Sequence, residues 1–247
     1  MRSIAVCPSC IEEQVKKGVK PAPKPLTGEL DDRGFINVEC DQGHRGVVIY
    51  DARRYDVLAQ SAARAFVDGY TNEVIAVMAA ALERAYEFYI RVSCRAKSLP
   101  APAIELAWKG VVAQSERQFG AFQFLYLIDR GEAFKLEQSI TRTRNNVVHR
   151  GKIASEAEAL EFAEKAYEVI RLLERSIEEK FPGYAAEEAS REVEAQKAAV
   201  PAGTPQVTLK KETVRYDKVK KEVTGAVEKF IDLTDAIVNS RSIGFPT

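Results

Sequence analysis

Residues 141–153 read TRTRNNVVHRGKI and hold His149, one of two histidines in a chain of 247 residues. Arg142, Arg144, Arg150 and Lys152 crowd around it, and Asn145 and Asn146 stand side by side in what otherwise reads as a helix. Imidazole is the side chain whose ordinary titration range lies across neutral pH, so it can take up and release protons there. A guanidinium can hold a phosphate through two parallel hydrogen bonds. On a helix Asn145 and His149 are i and i+4 and share a face. Arg144 is rotated away from that face but is long enough to curl back to it. Gly151 is the expected helix stop, which places His149 in the last turn. There the helix dipole favours the imidazolium, and the adjacent Arg144 and Arg150 oppose it. Taken alone, the pattern also describes an ordinary helix end with solvated arginines and a capping histidine.

A second set of chemistry-bearing residues lies near the N-terminus. CPSC supplies Cys7 and Cys10, and CDQGH supplies Cys40 and His44. Zinc takes four soft or borderline ligands in a tetrahedron, and two short knuckles provide two each. Gly43 lets the backbone turn tightly enough for its amides to approach the thiolate. With all four positions filled by protein no coordination site stays open, so a structural metal is expected and no catalytic one. A redox CxxC is the rival, although the βαβ context it needs is not evident. A chance scatter of residues with no ligand is the blander alternative. The arrangement looks like a zinc ribbon, a small β module stapled by metal because its core is too small to hold alone.

The elements that must position these groups fall into three stretches. Residues 1–50 carry the ligand pairs and the strand-like GFINVEC and RGVVIYD. Residues 51–185 read as helix after helix. One runs from a Thr71 N-cap with apolar residues at Ile75, Met78, Leu82, Ala85, Tyr89 and Val92, until LPAPA ends it. AIELAWKGVVAQ and SERQFGAFQFLYLIDRG give two more, the second opened by Ser115. AFKLEQSITRTRNNVVHRG follows, and then a long helix opens on a capping box, Ser155 with Glu158. Amphipathic helices with short breaks make an antiparallel bundle. Residues 186–247 read as a linker, broken at PAGTPQ, and an amphipathic helix with a seam at Tyr216, Val219, Val223, Ala226, Phe230, Leu233 and Ile237, weakened by Gly225. That helix either folds back on the bundle or serves as a dimerisation or docking arm.

The expected fold is thus mainly α, a helical bundle with a small N-terminal β zinc ribbon and a C-terminal helical arm. Hydrophobic residues at 46% and charged residues at 29% suit a globular chain. Thirty-six basic residues balance 36 acidic ones, so a nucleic-acid partner would need a local basic patch. No run is long and apolar enough to span a membrane, and no signal-peptide core precedes the first cysteine pair. The cytoplasm, where thiols stay reduced, is the expected compartment. Cys94 reads as a half-buried small hydrophobe, Trp108 and FGAFQFLYLI as core, and Glu87 with Arg91 as a surface i,i+4 pair.

RNNVVHRG in a penultimate bundle helix, the short loop after it, the capped long helix and the upstream ALERAYEFYIR together resemble the HEPN family over about residues 52–185. That family carries an R-x4-6-H motif in which Asn, Asp or His often follows the Arg, and Arg144, Asn145 and His149 match it. The resemblance implies a metal-independent endoribonuclease that dimerises to bring two motifs into one composite site. His149 would accept the 2′-OH proton or protonate the leaving 5′-oxygen, Arg144 would clamp the phosphate, and Asn145 would orient the phosphate or the imidazole. The product would be a 2′,3′-cyclic phosphate. Arg142, Arg150 and Lys152 would supply an RNA-binding basic field that zero net charge hides, with Glu83 and Arg84 as weaker candidates for the same cleft. The resemblance further suggests a toxin or antiviral-defence effector, with an antitoxin, a sensor or another defence component as protein partner. Some members are non-catalytic, so an interaction or RNA-binding regulatory module is the alternative.

Overall fold

The computed structural model describes residues 1–210, 216–217, 222–223 and 229–242. The chain divides into two compact units. The first comprises Met1–Ala52 with Ala189–Thr213 and Asn239–Thr247, and the second Arg53–Glu188 with Val214–Val238.

In the first unit β1 (Arg2–Ala5) pairs antiparallel with β2 (Leu26–Glu29). The alternating runs around residues 35–51 form β3 (Phe35–Glu39) and β4 (Arg45–Asp51), antiparallel with Phe35 opposite Ile49 and Val38 opposite Gly46. Period-two alternation sends Ile36, Val38 and Val48 to one face with Ala5, and Phe35, Val47 and Ile49 to the other with Val200. Between β1 and β2 lies α1 (Pro8–Lys16), with Cys7 as its N-cap and Pro8 in its first turn. The first ligand pair therefore sits on a helix N-terminus, where a ribbon reading would place a bare knuckle. QVTLK, in the stretch expected to be linker, forms β5 (Gln206–Lys210) and pairs parallel with β4. Gly46 permits that approach, since a Cβ there would stand 2.8 Å from the Pro205 carbonyl oxygen. Residues 184–199 are also helical, as α8 (Tyr184–Ala199).

The second unit is the expected bundle: α2 (Arg54–Val67), α3 (Thr71–Ala96), α4 (Ala101–Lys109), α5 (Ser115–Arg130), α6 (Gln138–Arg150) and α7 (Glu156–Lys180). The centre is α3, which packs against α2, α5, α6 and α7. It buries residues on more than one face, among them Val74, Met78, Leu82, Tyr86, Phe88, Tyr89 and Val92. Phe122, Tyr126 and Phe134 cluster with Tyr86 and Tyr89 at ring-centroid distances of 4.6–5.7 Å. The run FGAFQFLYLI is only partly core, because Phe124, Leu127 and Ile128 are exposed on α5. Trp108 is buried, with Arg84 and Arg91 over its ring. At the far end of α3, buried Ser93 donates to Asp129 at 2.6 Å and receives Lys97 at 2.9 Å, tying α3 to α5.

Three helix ends matter for the site. Ser155 and Glu158 form the capping box, at 3.2 Å and 3.1 Å. Gly151 ends α6 in the left-handed region at φ 67°, and the Lys152 amide closes onto the Asn146 carbonyl at 3.0 Å. Thr71 is not the N-cap of α3; Tyr70 is, and the Thr71 hydroxyl donates to the Ala154 carbonyl at 2.8 Å. Asn72 adds bonds to the Lys152 carbonyl and the Ala154 amide, at 3.1 Å and 2.9 Å. The loop after His149 is thus fastened to the start of α3. Upstream, α6 begins at Gln138 and not at Ala133. The Gly131 turn ends α5, and Phe134 is drawn into the aromatic cluster instead of a helix.

The long C-terminal seam is broken up. Tyr216–Asp217 and Glu222–Val223 form a short antiparallel pair, β6 and β7, and among the described residues of this stretch the helix is α9 (Phe230–Ser242). Val219, Gly225 and Ala226 lie outside the described residues. Phe230 and Leu233 are buried in the bundle core with Ile237 against it. Glu164 of α7 accepts the first amides of α9, from Phe230 at 3.1 Å and Ile231 at 2.8 Å. The arm therefore folds back on the bundle. Among the described residues no helix is long and apolar enough to cross a membrane.

Candidate functional site

Cys7 and Cys10, on the first turn of α1, meet Cys40 and His44, on the turn between β3 and β4. Their donor atoms all lie within 4.8 Å of one another, so the four can hold a metal ion such as zinc. Cys10 Sγ stands 3.8 Å from Cys40 Sγ and 3.5 Å from His44 Nδ1. Metal–ligand bonds of about 2.3 Å to sulfur and 2.0–2.1 Å to nitrogen give tetrahedral edges of roughly 3.8 Å and 3.5 Å. The outer ring nitrogen of His44 faces Glu13 Oε1 at 3.4 Å, the carboxylate backing that fixes which nitrogen points inward. Gly43 turns at φ 76°, with the Cys40 amide bonded to the His44 carbonyl at 3.1 Å. Burial raises the Cys40 thiol, but hydrogen bonds from the Gln42 and His44 amides and from Cys7 and Cys10 together hold it below its ordinary value. Cys10 is pushed up to about 12, by burial first and then by Cys7 and Cys40. Cys94 lies apart on α3, half-buried, its thiol raised by burial.

The second site centres on Arg144. Its Nη1 lies 2.9 Å from His149 Nε2 and donates to Asn145 Oδ1 at 3.0 Å, and its Nη2 donates to Ser115 Oγ at 3.2 Å. Glu83 and Glu116 approach it at 3.9 Å and 4.0 Å. A guanidinium can only donate. His149 Nε2 is therefore the accepting atom of this contact. Arg144 is half-buried while His149 is exposed. Burial raises the Glu83 carboxyl against the pull of Arg84 and Arg144. Glu116 is held below its ordinary value by its own amide and the Ser115 hydroxyl, with Arg144 adding to the effect.

Arg144, Asn145 and His149 are thus brought together, and Glu83 joins them. Arg84 does not: it pairs with Glu87 and reaches Gln118 at 2.9 Å. Glu87 also takes Arg91 at 3.0 Å, the expected i,i+4 pair, but half-buried and not on the surface. Arg142 and Lys152 line a different groove, a polar cavity of about 240 Å³ against α7 that Asn146 and Lys165 also line. There Lys152 pairs with Glu158, and Lys165 with Glu137 and Glu161. Arg142 has no ion pair among the described residues. Arg150 donates to Asn146 Oδ1 at 3.3 Å. Ser115 and Glu116 are contributors that motif spacing misses; the only signal was that SER opens a helix, which says nothing of α6.

A largely apolar cleft of about 120 Å³ adjoins Arg144 and Asn145, lined also by Ala79, Leu82, Glu83, Tyr86 and Phe119. The chain matches no protein-family model, no curated protein and no solved structure.

Proposed function

We propose that the chain is a metal-independent endoribonuclease of the HEPN type, whose chemistry uses Arg144, Asn145 and His149. The observation that supports this most is the 2.9 Å approach of the Arg144 guanidinium to His149 Nε2, a proton acceptor and an anion clamp held in contact. An incoming phosphate draws Arg144 from His149 Nε2 to its own oxygens. The freed Nε2 takes the 2′-OH proton as the 2′-oxygen attacks phosphorus, and the 5′-oxygen leaves with a proton from the protonated His149 of a second copy. Arg144 holds the charge that develops on the phosphoryl oxygens. Arg142, Arg150 and Lys152 extend the basic field along the RNA. A homodimer is the assembly proposed, and the exposed stripe Phe124, Leu127 and Ile128 on α5 supports it, as a face that a second copy would cover. A structural zinc on Cys7, Cys10, Cys40 and His44 belongs to the same reading. The setting of a cytoplasmic toxin or antiviral effector, with an antitoxin or sensor partner, rests on the family resemblance alone.

A second reading has its own support. Arg144 is already satisfied by Ser115, Asn145 and two carboxylates, as it would be in a purely structural network of a non-catalytic interaction or RNA-binding module. The deciding test is an RNA oligonucleotide with one 2′-deoxy substitution at the cleavage position. Cleavage of the all-ribo strand to a 2′,3′-cyclic phosphate, unaffected by brief EDTA, and none at the substituted position, is the expected result. Cleavage of the deoxy position, or none of any RNA, would remove the nuclease reading. Light scattering is expected to show a dimer at micromolar concentration; a strict monomer with and without RNA counts against the composite site.

A further inference from the structure

We infer that the cleft beside Arg144 is a nucleobase subsite, which seats the base next to the phosphate that Arg144 clamps; this rests on the ribonuclease reading. Its walls are of two kinds. Leu82 and the rings of Tyr86 and Phe119, whose centroids are 5.2 Å apart, give it apolar and aromatic surface. Glu83, Asn145 and Arg144 give it a few polar groups. That combination is how proteins hold a planar heterocycle: stacking on the face, hydrogen bonds at the edge. At about 120 Å³ the cleft is far below the roughly 300–1,000 Å³ of drug-sized pockets, which suits one ring system and no more.

Glu83 gives the cleft its specific edge. Its carboxylate is partly buried on the cleft wall, 3.9 Å from Arg144, and can accept from an amino group or ring N–H as acidic side chains do from cytosine. The phosphate clamp lines the same cleft, so a base seated there and its own phosphate would both be held.

Binding of the four nucleoside 3′-monophosphates and of inorganic phosphate, measured by calorimetry, tests this without any cleavage. One base is expected to bind about 10-fold tighter than the weakest, and tighter than phosphate alone. Ala79→Phe, which fills the cleft and removes no polar group, is expected to bring all four to the level of phosphate. Glu83→Gln, which keeps the shape of the side chain but turns one acceptor into a donor, is expected to narrow the base preference about fivefold. Four nucleotides binding within twofold of one another, or no better than phosphate, would overturn the subsite, as would a preference unchanged in both variants. Base-selective binding by a chain that cuts no RNA would sink the nuclease reading and leave the subsite standing. Cleavage indifferent to the flanking base would do the reverse.

Discussion

Cys40→Ser is expected to strip the metal from the chain and unfold the first unit, while the bundle keeps its helices. The unit's own means of staying folded are slight. One face of the β3–β4 sheet buries Ile36, Val38 and Val48 with Ala5, the other Phe35, Val47 and Ile49 with Val200. A core of that size seldom holds a domain by itself. Structural zinc contributes an apparent 10–16 kcal/mol or so in small zinc-binding peptides, which is of the order of a whole domain's stability. The bundle has a far larger core of its own, and none of the four ligands belongs to it. Metal analysis should therefore fall from about one zinc per chain to background in Cys40→Ser. Amide protection across residues 35–51 should vanish, with the helical circular dichroism largely kept. Cys94→Ser, which touches no ligand, should keep its metal. Wild-type protein that carries no metal and still protects residues 35–51 from exchange would end the proposal.

The parts of this molecule that could be read from the sequence are those whose partners lie close along the chain. Ser155 and Glu158 are three residues apart, and their reciprocal bonds follow from helix geometry alone. The ligand pairs announce themselves because each knuckle is local, and only the meeting of the two knuckles needed the fold. Arg144 and His149 sit one long side chain apart on the same helix, so their contact was also within reach. Long-range partners were not. Ser115 meets Arg144 across 29 positions, and β5 finds β4 across more than 150, through five residues whose pattern is too short to stand out between Pro205 and Lys211. The α5 run failed for a different reason. FGAFQFLYLI is apolar on nearly every side, so periodicity cannot say that Phe122 and Tyr126 turn inward and Phe124 and Ile128 outward. The seam from Tyr216 was a true apolar rhythm with the wrong extent, since Tyr216 and Val223 lie in strands while Phe230, Leu233 and Ile237 are its described members in a helix.

His149→Ala is expected to lower kcat/KM for RNA cleavage by about 10²–10⁴, the range that a positioned proton-transfer group supplies. The ring is exposed and outside the core, so this variant should melt within a degree or two of wild type. Arg144→Ala should lose as much activity but is a poorer witness. Arg144 is half-buried and bonded to Ser115 and Asn145, with Glu83 beside it. Its removal leaves the half-buried Glu83 with Arg84 alone to offset its charge, at a cost of about 1–3 kcal/mol. Arg144→Lys restores the charge but not the two-pronged contact, so it should recover much of the melting temperature and little of the rate. That split, stability returning while activity does not, is what a phosphate clamp produces and a structural hub does not. RNA binding by His149→Ala should stay close to wild type, because the lost group moves a proton and does not anchor the strand. If His149→Ala instead cleaves within about threefold of wild type, or if activity tracks melting temperature across all three variants, then the Arg144 cluster only braces α6 against α3 and α5, and the chain acts by binding.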